Sequence, residues 1–307
     1  MNRNIGIIIA AAGFVLAIVS VVGVLPGLTG TGITLLLTGG LVIGLSFIDP
    51  IEREEKDAIP TLRSLVMIFH SPVEVFRSFR RAPQWLAAFL FITVISTAYG
   101  QLFVARLSPE RITNFTIDKT LEMPLLDDES RRTIELGRSE ALAQAKDPVI
   151  RIGQAISGAA SSFIGYVFLA ALFVGIATAF GGQLKFLQSL SITIYAALPV
   201  SVIRYVLSTF LLFLKDPDEI HPILGQQALL QDNLGILVQP ADSPVLYTLL
   251  ASISLLGLYW IFLNSIGLKN GGENVTFTMA WAATIIIYVV TVLFAVSMAA
   301  LFPGFIS

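Results

Sequence analysis

Cysteine is absent from this 307-residue chain, and histidine occurs only at His70 and His221. Without cysteine there is no disulfide, no thiolate metal site and no cysteine nucleophile. Charge is scarce as well. Asp, Glu, Lys and Arg make up 13% of the residues, against about 25% in soluble domains. A net charge of −2 and the lack of a long basic run argue against a nucleic-acid partner.

What fills the chain instead is apolar. Hydrophobic residues reach 55% and the mean hydropathy is +0.81. Seven runs stand out, at 5–25, 28–48, 85–103, 157–180, 186–214, 245–268 and 275–302, and Arg204 is their one charged residue. A bilayer core about 30 Å thick needs about 20 apolar helical residues to cross it. The expected fold is therefore all-α, a polytopic transmembrane helical bundle of about seven spans. The first run follows Arg3 as a signal peptide would. It is longer than a typical signal core and passes into Leu25-Pro26-Gly27 without a small-x-small site, so a retained span is expected.

Three regions follow from the spacing of the runs. Residues 1–48 read as a hairpin turning at Pro26-Gly27, with Gly39, Gly40 and Gly44 as a small-residue face. Residues 49–84 read as a cytoplasmic connector that opens with a charged loop at 49–60. Leu62, Leu65, Val66, Phe69, Val73, Phe76 and Phe79 then recur at helical spacing. Ser71, Pro72 and Glu74 form a helix-start signature, and Arg77, Arg80 and Arg81 suit the helix's carboxyl end. Residues 72–82 are expected to lie in the membrane plane, apolar face down and arginines toward headgroups. The plainer alternative is a packed connecting helix with snorkelling arginines.

Residues 85–307 hold the remaining five runs, an insert at 104–156 and a loop at 215–244. The insert reads as extramembrane helices, with Glu129–Arg132 and Glu135–Arg138 as pairs three apart and Asp127 or Asp128 as a cap. Its Asp127-Asp128-Glu129 cluster reads as a solvated cap rather than a cation site. Pro199 should kink or tilt the fifth run. Arg77, Arg80 and Arg81 stand directly before the third run, which by the positive-inside rule puts the amino terminus in the cytoplasm and the carboxyl terminus outside.

Chemistry-bearing residues are few. Arg204 sits within a run, where a central arginine costs at least about 2.5 kcal/mol. It reads either as a ligand for an anionic headgroup or carboxylate in a cavity, or as a structural group bonding carbonyls freed by Pro199. Asn264 and Tyr259 are candidate polar neighbours. No run contains an acid, a histidine or a lysine, which removes the bases of an intramembrane protease, and no phosphate-binding glycine loop occurs. His221 has no second histidine or cysteine nearby, and His70 lies on an apolar stripe. No catalytic, cofactor or metal site is expected.

A resemblance adds to this reading. Pro72, Glu74 and Phe76, then Pro83 and Trp85, are similar to a P-x-E-x-F…P-x-W domain entry. Tyr195-Ala196-Ala197-Leu198-Pro199-Val200-Ser201-Val202-Ile203 before Arg204 is similar to a recurrent bacterial stretch, as is the run from Pro240 to Leu250, continuing to Tyr259 and Ile266-Gly267. From about residue 72 to residue 302 the chain thus resembles the Yip family, the Rab-GTPase-interacting membrane proteins with a five-span domain, in its bacterial form. The eukaryotic D-L-Y-G-P signature is absent, and Ser254 stands where many bacterial relatives carry an acid. The resemblance implies a non-enzymatic protein of a bacterial inner membrane that organises the bilayer or docks other proteins. Its partners would be the lipid bilayer, an unidentified protein or a second copy of itself. Two other functions stay open: a transporter or channel component with a cavity around Arg204, and a lipid-binding or bilayer-shaping protein.

Overall fold

The structure is a computed structural model that describes residues 3–48, 59–123 and 126–305. The expected charged loop falls, over 49–58, outside the described residues. The helices are α1 (Arg3–Val21), α2 (Thr29–Leu45), α3 (Thr61–Met67), α4 (Pro72–Ser78), α5 (Leu86–Leu107), α6 (Pro109–Leu121), α7 (Asp128–Lys146), α8 (Pro148–Ala179), α9 (Phe186–Leu214), α10 (Leu224–Gln227), α11 (Pro244–Ser252), α12 (Leu255–Gly271) and α13 (Phe277–Leu301). Among the described residues the only strand-like pairing is two isolated antiparallel bridges, Gln183–Glu273 and Asn233–Ser254.

The all-helical expectation holds. Five helices, α1, α5, α8, α9 and α13, are long and apolar enough to cross a membrane, and α2 is a shorter apolar helix. The sixth apolar run differs from expectation. It divides into α11 and α12, with Ile253 and Ser254 between them. Two other boundaries move. α8 begins at Pro148, well before residue 157, because Pro148 occupies the first turn and the Asp147 side chain accepts the Val149 N–H at 2.8 Å. α5 continues to Leu107 and ends where Ser108 turns to a φ of 70°. Pro199 lies inside a continuous α9.

The chain forms two compact units. The first comprises 1–90, 147–195 and 266–280. In it α1 and α2 pack as a hairpin whose turn uses Gly27 at φ 87°. Gly6, Gly13 and Ser20 are buried on α1, and Gly32 and Gly39 on α2. Each set repeats every seven residues, two helical turns, so the small residues stay on the contact seam. Of the expected trio Gly39, Gly40 and Gly44, only Gly39 is on that seam; a Cβ at Gly40 or Gly44 would meet nothing. At the turn the Leu28 N–H donates to Ser20 Oγ at 3.1 Å. α8 packs on α2, where Ser157 Oγ and Thr34 Oγ1 lie 3.1 Å apart.

The connector joins the core of this unit rather than resting on lipid by its phenylalanines. Val75, Phe76 and Phe79 are fully buried, and Phe79 stacks edge-on with Tyr195 at 4.9 Å. Gly267 and Gly271 make room for Ile192 and Phe76. The apolar stripe therefore divides: Phe76 and Phe79 face protein, while Leu62, Val66, Phe69 and Val73 remain exposed. Pro72 opens α4 as expected, but Ser71 makes no side-chain cap. Gln84 ties the connector down, donating to Ser64 Oγ at 2.7 Å and to the Ile59 carbonyl at 3.2 Å.

The second unit comprises 91–146, 196–265 and 281–307. Its core gathers Tyr99, Phe103 and Leu107 of α5 with Leu212 of α9 and with Ile220 and Leu229 of the following loop. Above α5, α6 and α7 pack on each other. Arg138 holds them together, donating to Asp118 at 2.6 Å, Asn114 at 3.1 Å and Glu135 at 3.0 Å. Asp127 caps α7 by accepting the Ser130 N–H at 2.9 Å.

Candidate functional site

Residues 215–244 look like a solvated connector in sequence, rich in Pro and Asp. In the structure they are pinned at four points. Arg111 donates to the Pro217 carbonyl at 2.7 Å and to Asp218 Oδ1 at 3.0 Å. The Tyr99 hydroxyl donates to the Gly225 carbonyl at 2.5 Å. Ser208 Oγ accepts the N–H groups of Leu229 and Leu230 at 3.0 and 3.1 Å. Finally, Asp232 reaches the break between α11 and α12. Its Oδ2 accepts the Leu256 N–H at 2.7 Å and its carbonyl accepts the Leu255 N–H at 3.1 Å. These are the orphan donors of a helix start, so a loop carboxylate caps a helix that begins inside an apolar run.

The pinned loop, α9, α11 and α13 enclose an open cavity of about 1290 Å³. Arg204 lines it, half-buried, one turn beyond Pro199. Among the described residues no hydrogen bond or ion pair holds its guanidinium. Lys215 adds a second basic group, and Glu219 and Asp232 bring two acids, of which Asp232 is engaged by the α12 N-terminus. One wall is apolar: Phe294 and Met298 lie one turn apart on α13, and Phe302 follows just past its end. Opposite in sequence, Ile236 and Leu237 sit on a short three-ten turn and are 64% and 71% exposed.

His221 also borders the cavity, but its ring is structurally employed. Nδ1 accepts the N–H groups of Ile223 and Leu224 at 3.2 Å each, and the ring meets Phe115 edge-on at 5.0 Å. Among the described residues no group of three or more His, Asp or Glu could hold a metal. In the acidic cluster at 127–129, Asp127 is committed to Ser130, and that hydrogen bond holds its carboxyl below the ordinary range.

Arg204, Asn264 and Tyr259 are not gathered into one site. Asn264 is fully buried on α12, where Nδ2 donates to the Trp260 carbonyl at 3.0 Å and Oδ1 has no partner among the described residues. Neither it nor Tyr259 lines the Arg204 cavity. Arg77, Arg80 and Arg81 are all exposed, and Arg80 donates to the Lys269 carbonyl at 3.4 Å. Sequence reasoning missed Asp232 and the three-ten turn. Asp232-Asn233 followed by Gly235 is a capping and turn pattern, and the Asn233 side chain does accept the Gly235 N–H at 2.9 Å. Within the apolar run the break is marked only by Ser254, whose Oγ accepts the Gly257 N–H at 2.9 Å.

The family model of the Yip1 domain matches residues 66–301. This chain belongs to the Yip1-domain family. The match begins in α3, so the Yip1 domain here takes in the connector from residue 66 onward, the five apolar runs after it and both polar segments. The α1–α2 hairpin lies outside it. No curated protein and no solved structure is significantly similar to the chain.

Proposed function

We propose that this Yip1-domain protein is a non-enzymatic membrane adaptor that docks other proteins through its extramembrane helices. The observation that supports this most directly is the rigidity of the α6–α7 pair. Arg138 bridges the two helices, and the Arg131 guanidinium donates to the carbonyls of Leu121 and Met123. Lys146 at the end of α7 pairs with Glu110 at the start of α6 at 2.8 Å. Such a pair presents a preformed surface that needs little ordering on binding. Leu136, 83% exposed on α7, supplies an apolar centre ringed by charge.

In the proposed orientation the amino terminus is cytoplasmic, with exposed Arg77, Arg80 and Arg81 on the cytoplasmic face. The carboxyl terminus and α6–α7 lie outside, and the membrane is a bacterial inner membrane. The test is crosslinking in native membranes followed by mass spectrometry, comparing the native chain with Leu136→Glu. A near-stoichiometric partner that is lost in the variant supports docking at α7. Solute flux in vesicles that disappears in Arg204→Ala would replace the adaptor with the second reading, a transporter. The observation favouring that reading is the cavity beside Arg204.

A further inference from the structure

We infer that the Arg204 cavity is a binding site for an anionic phospholipid, its phosphate on Arg204 and its acyl chain along the wall that α13 supplies, with Lys215 as a further basic group on the cavity's lining. Three observations carry this. First, Arg204 is the one charged residue of the apolar runs, and among the described residues nothing neutralises it. A cation at that depth persists where a counter-charge or water reaches it. Neither acid bordering the cavity pairs with it: among the described residues neither Asp232, whose Oδ2 accepts the Leu256 N–H, nor exposed Glu219 makes an ion pair.

Second, the cavity is amphipathic in the sense that a lipid requires. Basic groups come from α9 and its end, whereas Phe294 and Met298 on α13, with Phe302 just past it, build an apolar strip. A free inorganic anion would use the first feature and leave the second unexplained. Third, about 1290 Å³ is far more than a bare phosphate fills; drug-sized ligands occupy about 300–1,000 Å³. The planar guanidinium suits a phosphate because its parallel N–H groups match two oxygens. Exposed Ile236 and Leu237 on the three-ten turn add a second apolar contact for the chain. This site is independent of the α6–α7 docking surface, and either can fail without the other.

The experiment uses the full chain in nanodiscs containing equal mole fractions of phosphatidylglycerol and phosphatidylcholine. Native mass spectrometry reads the lipid retained on extraction. The native chain should retain phosphatidylglycerol over phosphatidylcholine by about tenfold, because the choline ammonium of phosphatidylcholine offsets the phosphate charge and repels the guanidinium, and Arg204→Gln should abolish most of that preference. Equal retention of both lipids by the native chain, or an undiminished preference in Arg204→Gln, would overturn the site. Because Arg204→Gln could misfold, a second measurement keeps Arg204 intact. A photo-reactive residue at position 298 should capture phosphatidylglycerol bearing a diazirine in its acyl chain. Capture that dodecyl phosphate competes away and inorganic phosphate does not supports a lipid. Competition by inorganic phosphate alone to the same extent, or no capture, rejects it.

Discussion

Gly39 meets the backbone of Ala10 directly: a Cβ on the glycine would lie 2.3 Å from the alanine nitrogen. Gly13 and Gly32 are as tightly held, with Cβ positions 2.4 Å from the Leu36 nitrogen and 2.5 Å from the Ala17 nitrogen. Backbone cannot rotate away as a side chain can, so any larger residue must push α1 and α2 apart. We expect Gly39→Leu to destabilise the hairpin by about 1–3 kcal/mol, the usual cost of overpacking. Gly40→Leu should be near neutral, since a Cβ there meets nothing within 4 Å. Thermal unfolding in detergent separates the two, and equal midpoints would refute the seam.

Acid should loosen the α6–α7 pair from its ends. The Lys146 ammonium bonded to Glu110 holds that carboxyl below its ordinary value, and the Ser130 hydrogen bond does the same for Asp127. A carboxyl depressed in the folded state contributes stability above its unfolded pKa, about 4 for both residue types, and loses it as pH falls through the folded value. Both groups are solvent-exposed, so the effect is local and modest. Amide exchange at the first turn of α7 should stay constant from pH 7 to about pH 5 once corrected for intrinsic rates, then accelerate below about pH 4. Exchange in the last turn of α7 reports the Glu110 share in the same way, and Lys146→Gln should remove it. A corrected profile that stays flat below pH 4 would count against these contacts.

The helical class and most element positions were legible because lipid imposes a simple rule, a long apolar run without charge. What lay beyond that rule was set by partners distant in sequence. Phe76 and Phe79 belong to a stripe that reads equally well as membrane-facing, and only Gly267, Gly271 and Tyr195 make it a buried contact. The seven-residue repeat of Gly6, Gly13 and Ser20 was visible in principle, but neighbouring Gly40 and Gly44 drew attention to the wrong face. Arg204 announced itself as the lone span charge, whereas the residues that shape its cavity come from a loop whose composition suggests only solvation.

Asn264 offers a test of whether burial or function retains a polar group. Its Oδ1 is buried with no partner among the described residues, a desolvated acceptor that costs about 1–3 kcal/mol. Leucine keeps the γ-branched outline, is somewhat larger and has no polar atom. Asn264→Leu is therefore expected to raise the unfolding midpoint or leave it unchanged, and to leave lipid retention at Arg204 intact. A lowered midpoint would mean that Oδ1 is satisfied in the membrane by a group that leucine cannot replace.

Asp232 gives the last expectation its clearest form, because a carboxylate from a distant loop joins Ser254 in capping a helix that starts inside an apolar run. Its Oδ2 and carbonyl take the N–H groups of Leu256 and Leu255, and Ser254 Oγ takes that of Gly257 at 2.9 Å. Asp232→Ala should cost about 1 kcal/mol, the loss of an N-cap. Asp232→Asn, which keeps an acceptor, should cost less. The chain has no cysteine, so Ile253→Cys provides a single thiol at the break. Its labelling rate should rise severalfold in Asp232→Ala, about the factor that 1 kcal/mol confers, and change little in Asp232→Asn. If alanine leaves the rate unaltered, the loop carboxylate does not hold the break, and the start of α12 must be fixed by Ser254 and the packing of the Tyr288 hydroxyl on the Ser252 carbonyl.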